Sequence, residues 1–231
     1  FLGEYIGYDA VDKTILEFFE DFMLQPNLKA SDFENILKNK SPKEIDWFFE
    51  EYVASRNNIN FKIKKVSKTE DSITFTLKNK SGTNVPISLF GLQKDSVVSK
   101  YWFTDIDTSR TFTIPKNGEN RLVLNYDKKI PEENQRDNWK SLNGFFSSNK
   151  KLQFRFFKDT ENPYYNQIFY VPVVRFDVNN GITPGLKINN KTFISRPFTF
   201  DLTPSYSFIE EGVVGAAGFT FRTFPNKGTL N

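Results

Sequence analysis

The chain has 231 residues, of which 38% are hydrophobic and 26% are charged, and this composition excludes a disordered tail or a small disulfide-stapled peptide. It contains no cysteine and no histidine, which excludes disulfides, thiolate nucleophiles and histidine-ligated metal sites within these residues. The net charge of +3 is too small to indicate a nucleic-acid partner by itself.

The charge and the aromatic content set further bounds. Residues 1–53 carry a net charge of −7, whereas residues 54–231 carry +10. Aromatic residues make up 16% of the chain, which favours β-rich packing or a membrane-interface belt over a helical bundle. The sequence contains no run of 18 apolar residues and no basic stretch before a short apolar run. It therefore predicts neither a transmembrane helix nor a signal peptide.

Residues 1–57 are predicted to form a helical segment with three short helices. The first runs from about residue 10 to 24, since Asp9 precedes it and Pro26 ends it. A second begins in the run Ser31–Glu34. Such a small segment cannot bury its aromatic stripes on itself, so we expect it to pack on a β domain or on further helices. The stripe of the first helix consists of Ile15, Phe18, Phe19, Phe22 and Met23.

The third predicted helix begins at Ser41 and leads directly into a strand. Ser41 as N-cap, Pro42 at the first helical position and Glu44 at the third match a capping box. After residue 58 the hydrophobic period changes from helical to two, with Phe61 and Ile63 alternating with lysines. A helical layer is thus predicted to meet a β layer here. The apolar stripe of this helix consists of Ile45, Phe48, Phe49, Tyr52 and Val53.

Residues 58–130 are predicted to form an immunoglobulin-like or fibronectin-like β-sandwich, so that the fold class is α+β and mainly β. Short strands alternate with turn signals at 79–82 and 116–118. The predicted strands lie around Ile73–Leu77, Val85–Leu92, Tyr101–Phe103, Thr111–Ile114 and Leu122–Tyr126.

Residues 131–165 are interpreted as a polar connector with an aromatic core segment at 152–157, and residues 166–231 as an antiparallel β-hairpin region. Four strands are predicted at about 168–178, 182–188, 198–208 and 213–221, each apolar at every second position. Tight turns at 179–181 and 210–212 and a longer loop at 189–196 connect them.

Two interpretations of this last region stay open. Long strands with one apolar face resemble the opening of an outer-membrane β-barrel, although Pro172, Pro184 and Pro204 would each remove a donor from the ladder. The alternative is a soluble antiparallel sheet whose apolar face packs on the sandwich. Four strands cannot close a barrel, so further strands or another surface are expected to cover this sheet.

Several short motifs resemble the C-terminal region of the membrane-alanine-aminopeptidase family, the gluzincin zinc peptidases. They are Asp32-Phe33 beside Ser31, Asp46-Trp47-Phe48-Phe49 and Asn60-Phe61-Lys62-Ile63. The run Asp127–Trp139 is similar to the end of the sandwich in bacterial envelope members. The resemblance covers roughly residues 1–140 and implies the helical end of a peptidase followed by its β-sandwich.

The catalytic motif of that family is missing from this chain. Zinc binding in the family requires H-E-x-x-H, which places two histidines on one helix face, and a downstream glutamate. This chain has no histidine, so no catalytic, cofactor-binding or metal-ligating residue is assigned here. The resemblance implies that zinc belongs to a separate catalytic domain.

Four other features are interpreted as structural. The pairs Glu132-Glu133 and Glu210-Glu211 are predicted to be solvated loop charges rather than a catalytic carboxylate pair. The glycines at 212, 215 and 218 are expected to permit close strand packing. Trp47, Trp102 and Trp139 could stack on sugars but are expected in cores. Lysines 62, 64, 65 and 68 are expected to form a solvated strand face.

The leading hypothesis is a non-catalytic, structural and anchoring C-terminal part of a zinc metallo-aminopeptidase of the cell envelope. Its expected partners are the catalytic domain, other envelope proteins and the outer membrane, with no nucleic acid. The alternative is a β-rich cell-surface binding or adhesion module, or a subunit of an outer-membrane assembly, without peptidase activity.

Overall fold

The computed structural model describes residues 1–25, 27–143, 149–157, 160–193 and 195–223. The chain divides into two compact units, Phe1–Asn149 and Lys150–Asn231. The first unit contains the helices and two β-sheets, and the second contains a third sheet. The fold is therefore mainly β with short N-terminal helices.

Three α-helices and one π-helix open the first unit: α1 Leu2–Ile6, α2 Tyr8–Phe22, α3 Ala30–Lys40 and the π-helix Phe48–Val53. Helix α3 begins where the backbone N–H of Lys29 donates to the Asp32 carboxylate at 3.0 Å. Helix α2 confirms the predicted first helix, but Phe19 and Met23 of its apolar stripe are exposed. The side that α2 buries contains Thr14 instead, which is 0% exposed.

The predicted start of the third helix at Ser41 is wrong. The Ser41 hydroxyl accepts from the backbone N–H of Lys43 and donates to the carbonyl of the same residue, which closes a local turn, and residues 42–45 are not helical. Helical backbone begins at Asp46, whose N–H donates to the Glu44 carboxylate. The helix then widens, because the N–H of Ala54 bonds the carbonyl of Phe49 five residues back.

Seven strands of the first unit form two antiparallel sheets. One sheet has the order β1-β2-β5 and the other has the order β4-β3-β6-β7. The strands are β1 Phe61–Lys68, β2 Ser72–Asn79, β3 Ile87–Gln93, β4 Ser96–Phe103, β5 Ser109–Pro115, β6 Arg121–Leu124 and β7 Trp139–Ser141.

Both sheets contribute to one hydrophobic core. Strand β2 alternates between buried and partly exposed residues, which is the expected pattern for a strand with one face on the core. Strand β3, which lies between β4 and β6, is buried continuously from Ile87 to Leu92, so side chains on both of its faces are covered. Side chains that are no more than 1% exposed in this core include Phe61, Ile73, Phe75, Leu77, Ile87, Leu89, Leu122 and Leu124.

The second unit is a five-stranded open sheet with the order β12-β11-β10-β9-β8. The described strands form no closed barrel. All neighbours are antiparallel except β8, which runs parallel to β9. The strands are β8 Lys151–Phe156, β9 Tyr165–Asp177, β10 Gly181–Asn189, β11 Phe198–Ser207 and β12 Gly212–Phe221.

The four strands predicted between 168 and 221 are confirmed as β9 to β12. The interpretation of residues 131–165 as a connector is wrong in part, since this stretch supplies strands β7 and β8. The segment around Phe154 and Phe156 is also not a core, because both rings are more than half exposed. The parallel pairing of β8 means that the sheet is mixed rather than a simple meander.

One proline of this sheet, Pro204, lies where a ladder is interrupted. The β10–β11 pairing includes Gly185↔Ser205 and Ile188↔Leu202 but lacks the pair between Leu186 and Pro204. Proline has no N–H to donate, so a gap at this position is the expected consequence. The other neighbour of Pro204 is Gly215, whose missing side chain leaves room for close approach of the two strands.

Two glycines of β12 make a matched test of this close approach. A Cβ at Gly215 would lie 2.2 Å from the carbonyl oxygen of Thr203, whereas a Cβ at Gly218 would meet no atom nearer than 3.9 Å. We expect Gly215→Ala to lower the free energy of unfolding by about 1–3 kcal/mol because the strands must separate. Gly218→Ala should raise it by about 0.4–1 kcal/mol by restricting the unfolded chain. Urea unfolding of both variants measures the difference, and equal effects would contradict the described register.

Candidate functional site

Two kinds of site receive no support from the described residues. No group of three or more His, Cys, Asp and Glu side chains in the described part of the chain could hold a metal ion. Among the helices described, none is long and apolar enough to cross a membrane. The remaining candidates are buried ionisable groups, cavities and exposed surfaces.

The tryptophans belong to the packing of the first unit. Trp47 and Trp139 are buried, and Trp102 is half-buried against the core. The rings of Phe1 and Tyr5 surround Trp47 at centroid distances of 4.9 and 5.6 Å. This confirms their expected place in the core.

The lysine-rich strand β1 has the predicted arrangement. Phe61 and Ile63 are buried in the core, and the lysines lie at the surface. Lys62 lies 3.9 Å from the Asp137 carboxylate, as one ion pair at the surface. This strand therefore presents a solvated face and no aromatic group beside its lysines for stacking on bases.

Glu132 is not a solvated loop charge, which corrects the prediction for the pair Glu132-Glu133. Its side chain is buried, whereas Glu133 is exposed and accepts from the Asn58 amide at 3.0 Å. The Glu132 carboxylate accepts from the side-chain amides of Asn138 at 2.6 Å and Asn125 at 3.1 Å. It also accepts from the backbone N–H of Phe61 at 3.2 Å.

These bonds join three separate parts of the first unit. Phe61 begins β1, Asn125 follows β6, and Asn138 precedes β7. Burial raises the pKa of Glu132 to about 7, and the three N–H donors oppose that rise. Because these N–H donors enclose its carboxylate, Glu132 holds the strand ends together. The sequence carries no local signal for this cluster, because its members meet only after the strands pair.

The described part of the first unit also contains an apolar cavity of about 340 Å³. It lies between the N-terminal residues, α2, α3 and the π-helix, and its lining includes no charged side chain. Such a lining offers no group for acid–base or metal chemistry. The lining residues are Phe1, Leu2, Gly3, Val11, Phe33, Leu37, Phe48 and Tyr52.

The strongest candidate surface is one face of the second unit, called the apolar face below. The strand registers place 22 residues on it, none of them charged. They are Leu152, Phe154 and Phe156 of β8, Ile168, Tyr170, Pro172, Val174 and Phe176 of β9, Ile182, Pro184, Leu186 and Ile188 of β10, Phe198, Phe200, Leu202, Pro204 and Tyr206 of β11, and Val213, Gly215, Ala217, Phe219 and Phe221 of β12.

Large side chains of the apolar face are exposed rather than buried. Val174, Phe176, Val213 and Phe221 are between 73% and 80% exposed. An ordinary soluble surface scatters such residues singly, whereas here they are contiguous across five paired strands. An apolar patch of this extent is typical of surfaces that contact a partner or a membrane.

The opposite face of the same sheet is mixed and carries all of its charged side chains. Thr199, Thr203, Ser205 and Ser207 of β11 alternate with the apolar residues and are buried. Phe169 of β9 also lies on this face and is fully buried. Asp201 on this face forms ion pairs with Lys187 at 3.3 Å and with Lys191 at 2.8 Å. The sheet thus combines a mixed, charge-bearing face with an uncharged apolar one.

Aromatic rings concentrate towards the two ends of the apolar face. Phe198, Phe219 and Phe221 lie near the long loop, where Phe198 and Phe221 approach to 4.9 Å between centroids. Phe176 and Tyr206 lie near the tight turns. Strands β9 to β12 have 13, 9, 10 and 10 residues, and about 9–11 tilted residues suffice to cross a bilayer core.

Comparison with protein-family models, with curated proteins and with solved structures gives no match. The peptidase resemblance of residues 1–140 therefore stays a prediction.

The buried Glu132 predicts an unusual dependence of stability on pH. A carboxyl whose pKa is raised from 4.5 to about 7 on folding stabilises the fold fully below pH 4.5 and loses this contribution as pH rises through 7. The free energy of unfolding should fall by about 3 kcal/mol over this window. In Glu132→Gln this part of the slope should disappear. Urea unfolding at several pH values measures it.

Glu133→Gln is the matched control, because Glu133 is the exposed neighbour of Glu132. It should retain the pH dependence of the unmodified chain. A Glu132→Gln variant with the same slope as that control would contradict a raised pKa for Glu132.

Proposed function

We propose that this chain is a non-catalytic structural and anchoring module of a cell-envelope zinc metallo-aminopeptidase, and that the apolar face of its second unit lies against lipid. One observation carries the anchoring role: 22 uncharged positions form a continuous and largely exposed face across five paired strands. Burying one large apolar side chain contributes roughly 1.5–3 kcal/mol. A face of this size therefore provides ample free energy for membrane attachment.

The chemistry of the face favours lipid over a protein partner. Protein interfaces carry about one hydrogen bond per 100–200 Å² and are enriched in arginine. The side chains of the apolar face include only two hydrogen-bonding groups, the hydroxyls of Tyr170 and Tyr206. Side chains in hydrocarbon need no hydrogen-bonding partners from their surroundings. Tyrosine rings are most favourable near the bilayer surface.

The opposite face supports the same proposal. Lys187, Asp201 and Lys191 form an ion-paired cluster there, and such a cluster requires water or further polar groups. Sheets of outer-membrane proteins alternate apolar residues towards lipid with polar residues towards the interior. The alternation along β11, with Thr199, Thr203 and Ser205 between apolar residues, has this character.

The first unit would serve as a brace. Lettered in chain order as A, B, C, C′, E, F and G, its strands form sheets ABE and C′CFG, a division that supports an immunoglobulin-like sandwich. The peptidase assignment is supported by the motifs Asp46–Phe49 and Asn60–Ile63. The residues of this chain do not fit the zinc site of that family, since they include no histidine. Zinc would be held by a catalytic domain that this module supports.

Vesicle flotation of two lysine variants tests the anchoring role. Ala217 and Ala216 are adjacent and exposed, and only Ala217 lies on the apolar face. A lysine near the bilayer midplane costs about 2–4 kcal/mol, so Ala217→Lys should weaken partitioning into vesicles about 30- to 1000-fold. Ala216→Lys should bind vesicles like the unmodified chain. Equal binding by both variants, or no flotation of the unmodified chain, would contradict lipid contact.

The gene that encodes this chain tests the peptidase assignment separately. A gluzincin catalytic sequence containing H-E-x-x-H in the same gene or in a protein that co-purifies with the chain is the expected result. Its absence from both would overturn the peptidase assignment and leave the anchoring role standing.

A further inference from the structure

In the part of the chain that the structure describes, no strand pairs with the outer edge of β12, and β12 itself lacks the residues that normally protect a sheet edge. Its ten residues, Gly212–Phe221, include no charged residue and no proline. Lysines, prolines and inward charges are the usual means of preventing edge-to-edge pairing. The opposite edge strand, β8, does carry charge at Lys151 and Arg155.

The hydrogen-bond pattern shows which backbone groups of β12 point outward. The N–H of Arg222 donates to the carbonyl of Pro197 at 2.7 Å, so this pair is hydrogen-bonded. Such pairs alternate along an antiparallel ladder, and even-numbered residues of β12 therefore bond β11. On the side of β11 that faces β10, the N–H of Phe200 donates a hydrogen bond and the carbonyl of Phe198 accepts one. Both bonds agree with this alternation. The outward groups belong to Val213, Gly215, Ala217, Phe219 and Phe221.

These outward groups belong to the residues whose side chains form the apolar face. An unpaired backbone N–H or C=O in hydrocarbon costs several kcal/mol, which is why open sheet edges do not occur there. If the apolar face lies in lipid, five residues of β12 would each present two such groups. A further strand must then pair with them.

We propose that the outer edge of β12 is a strand-addition site that takes an antiparallel, uncharged strand with apolar side chains at alternate positions. This inference rests on the proposed lipid contact and names the partner that the contact requires. The added strand continues the apolar face, and a large side chain opposite Gly215 covers its exposed backbone. At positions of the added strand that continue the apolar face, a charged residue would lie in hydrocarbon. Charged residues are therefore excluded from these positions.

The partner strand differs from β12 itself. Antiparallel pairing of β12 with its own copy requires a two-fold axis perpendicular to the sheet. In a bilayer this axis lies in the membrane plane, so one copy would be inverted relative to the other. A strand that enters the membrane in the same sense as β11 meets the requirement without inversion.

Disulfide trapping with a synthetic peptide tests the site. The chain has no cysteine, so Val213→Cys introduces a single thiol at one end of β12. The probe is a ten-residue strand of alternating valine and threonine, with phenylalanine opposite Gly215, cysteine opposite position 213 and lysines only beyond the paired segment. The control peptide carries lysine in place of two of its apolar residues. With vesicle-bound chain, the probe should give at least tenfold more disulfide than the control.

Ala217→Pro in the Val213→Cys background is the decisive variant. It removes an outward N–H and none of the bonds to β11, so the variant should trap the probe about tenfold less. Phe221→Pro at the strand end is the second variant if the first fails to fold. Equal trapping of both peptides, or trapping unaffected by proline, overturns the proposal. A doubling of mass without peptide that proline abolishes also overturns it, in favour of a second copy.

The outcomes separate the two proposals. Trapping is repeated in detergent micelles, where it does not depend on flotation. A chain that traps the probe in micelles but never floats contradicts lipid contact, whereas one that floats but traps no probe contradicts only strand addition.

Discussion

Successive side chains of a β-strand point to opposite faces, and the second unit depends on this two-residue period. Strands β9 to β12 place apolar residues at every second position, and their registers bring these positions onto one face. A slip of one residue in the register of β11 would place Thr203 and Asp201, rather than Leu202 and Phe200, beside the apolar residues of the neighbouring strands. The continuous apolar face, the mixed opposite face and the unprotected edge of β12 all follow from these registers.

The first unit obeys a different constraint, the burial of a single core by two sheets. Phe61, Phe75 and Leu89 are fully enclosed, so the unit has the interior of an ordinary globular domain. Glu132 ties the strand ends through three N–H donors and is enclosed with them. The sheets of the two units thus differ in where most of their large apolar side chains lie, in a core in the first unit and on one surface in the second. This difference supports a division into a brace and an anchor.

The sequence predicted the features that local patterns encode and missed those that depend on distant contacts. Alternation and turn residues located β9 to β12 closely, because a tight turn at 179–181 and a period of two are local signals. The parallel pairing of β8, the burial of Glu132 and the π-helix were missed. The first two depend on residues that strand pairing brings together, whereas the π-helix differs from an α-helix by a local shift in backbone bonding that the apolar period does not reveal. The alternation alone could not decide whether the apolar face is exposed.

Lipid contact along β11 is the central claim, and a nitroxide scan of residues 198–207 tests it most directly. Each residue is replaced in turn by a spin-labelled cysteine in vesicle-bound chain, and its collision rates with oxygen dissolved in lipid and with a water-soluble nickel chelate are measured. Lipid contact predicts a period of two, with the even positions from Phe198 to Tyr206 accessible to oxygen and the odd positions shielded from it. Uniform accessibility to the nickel chelate, or an inverted period, would contradict lipid contact along β11.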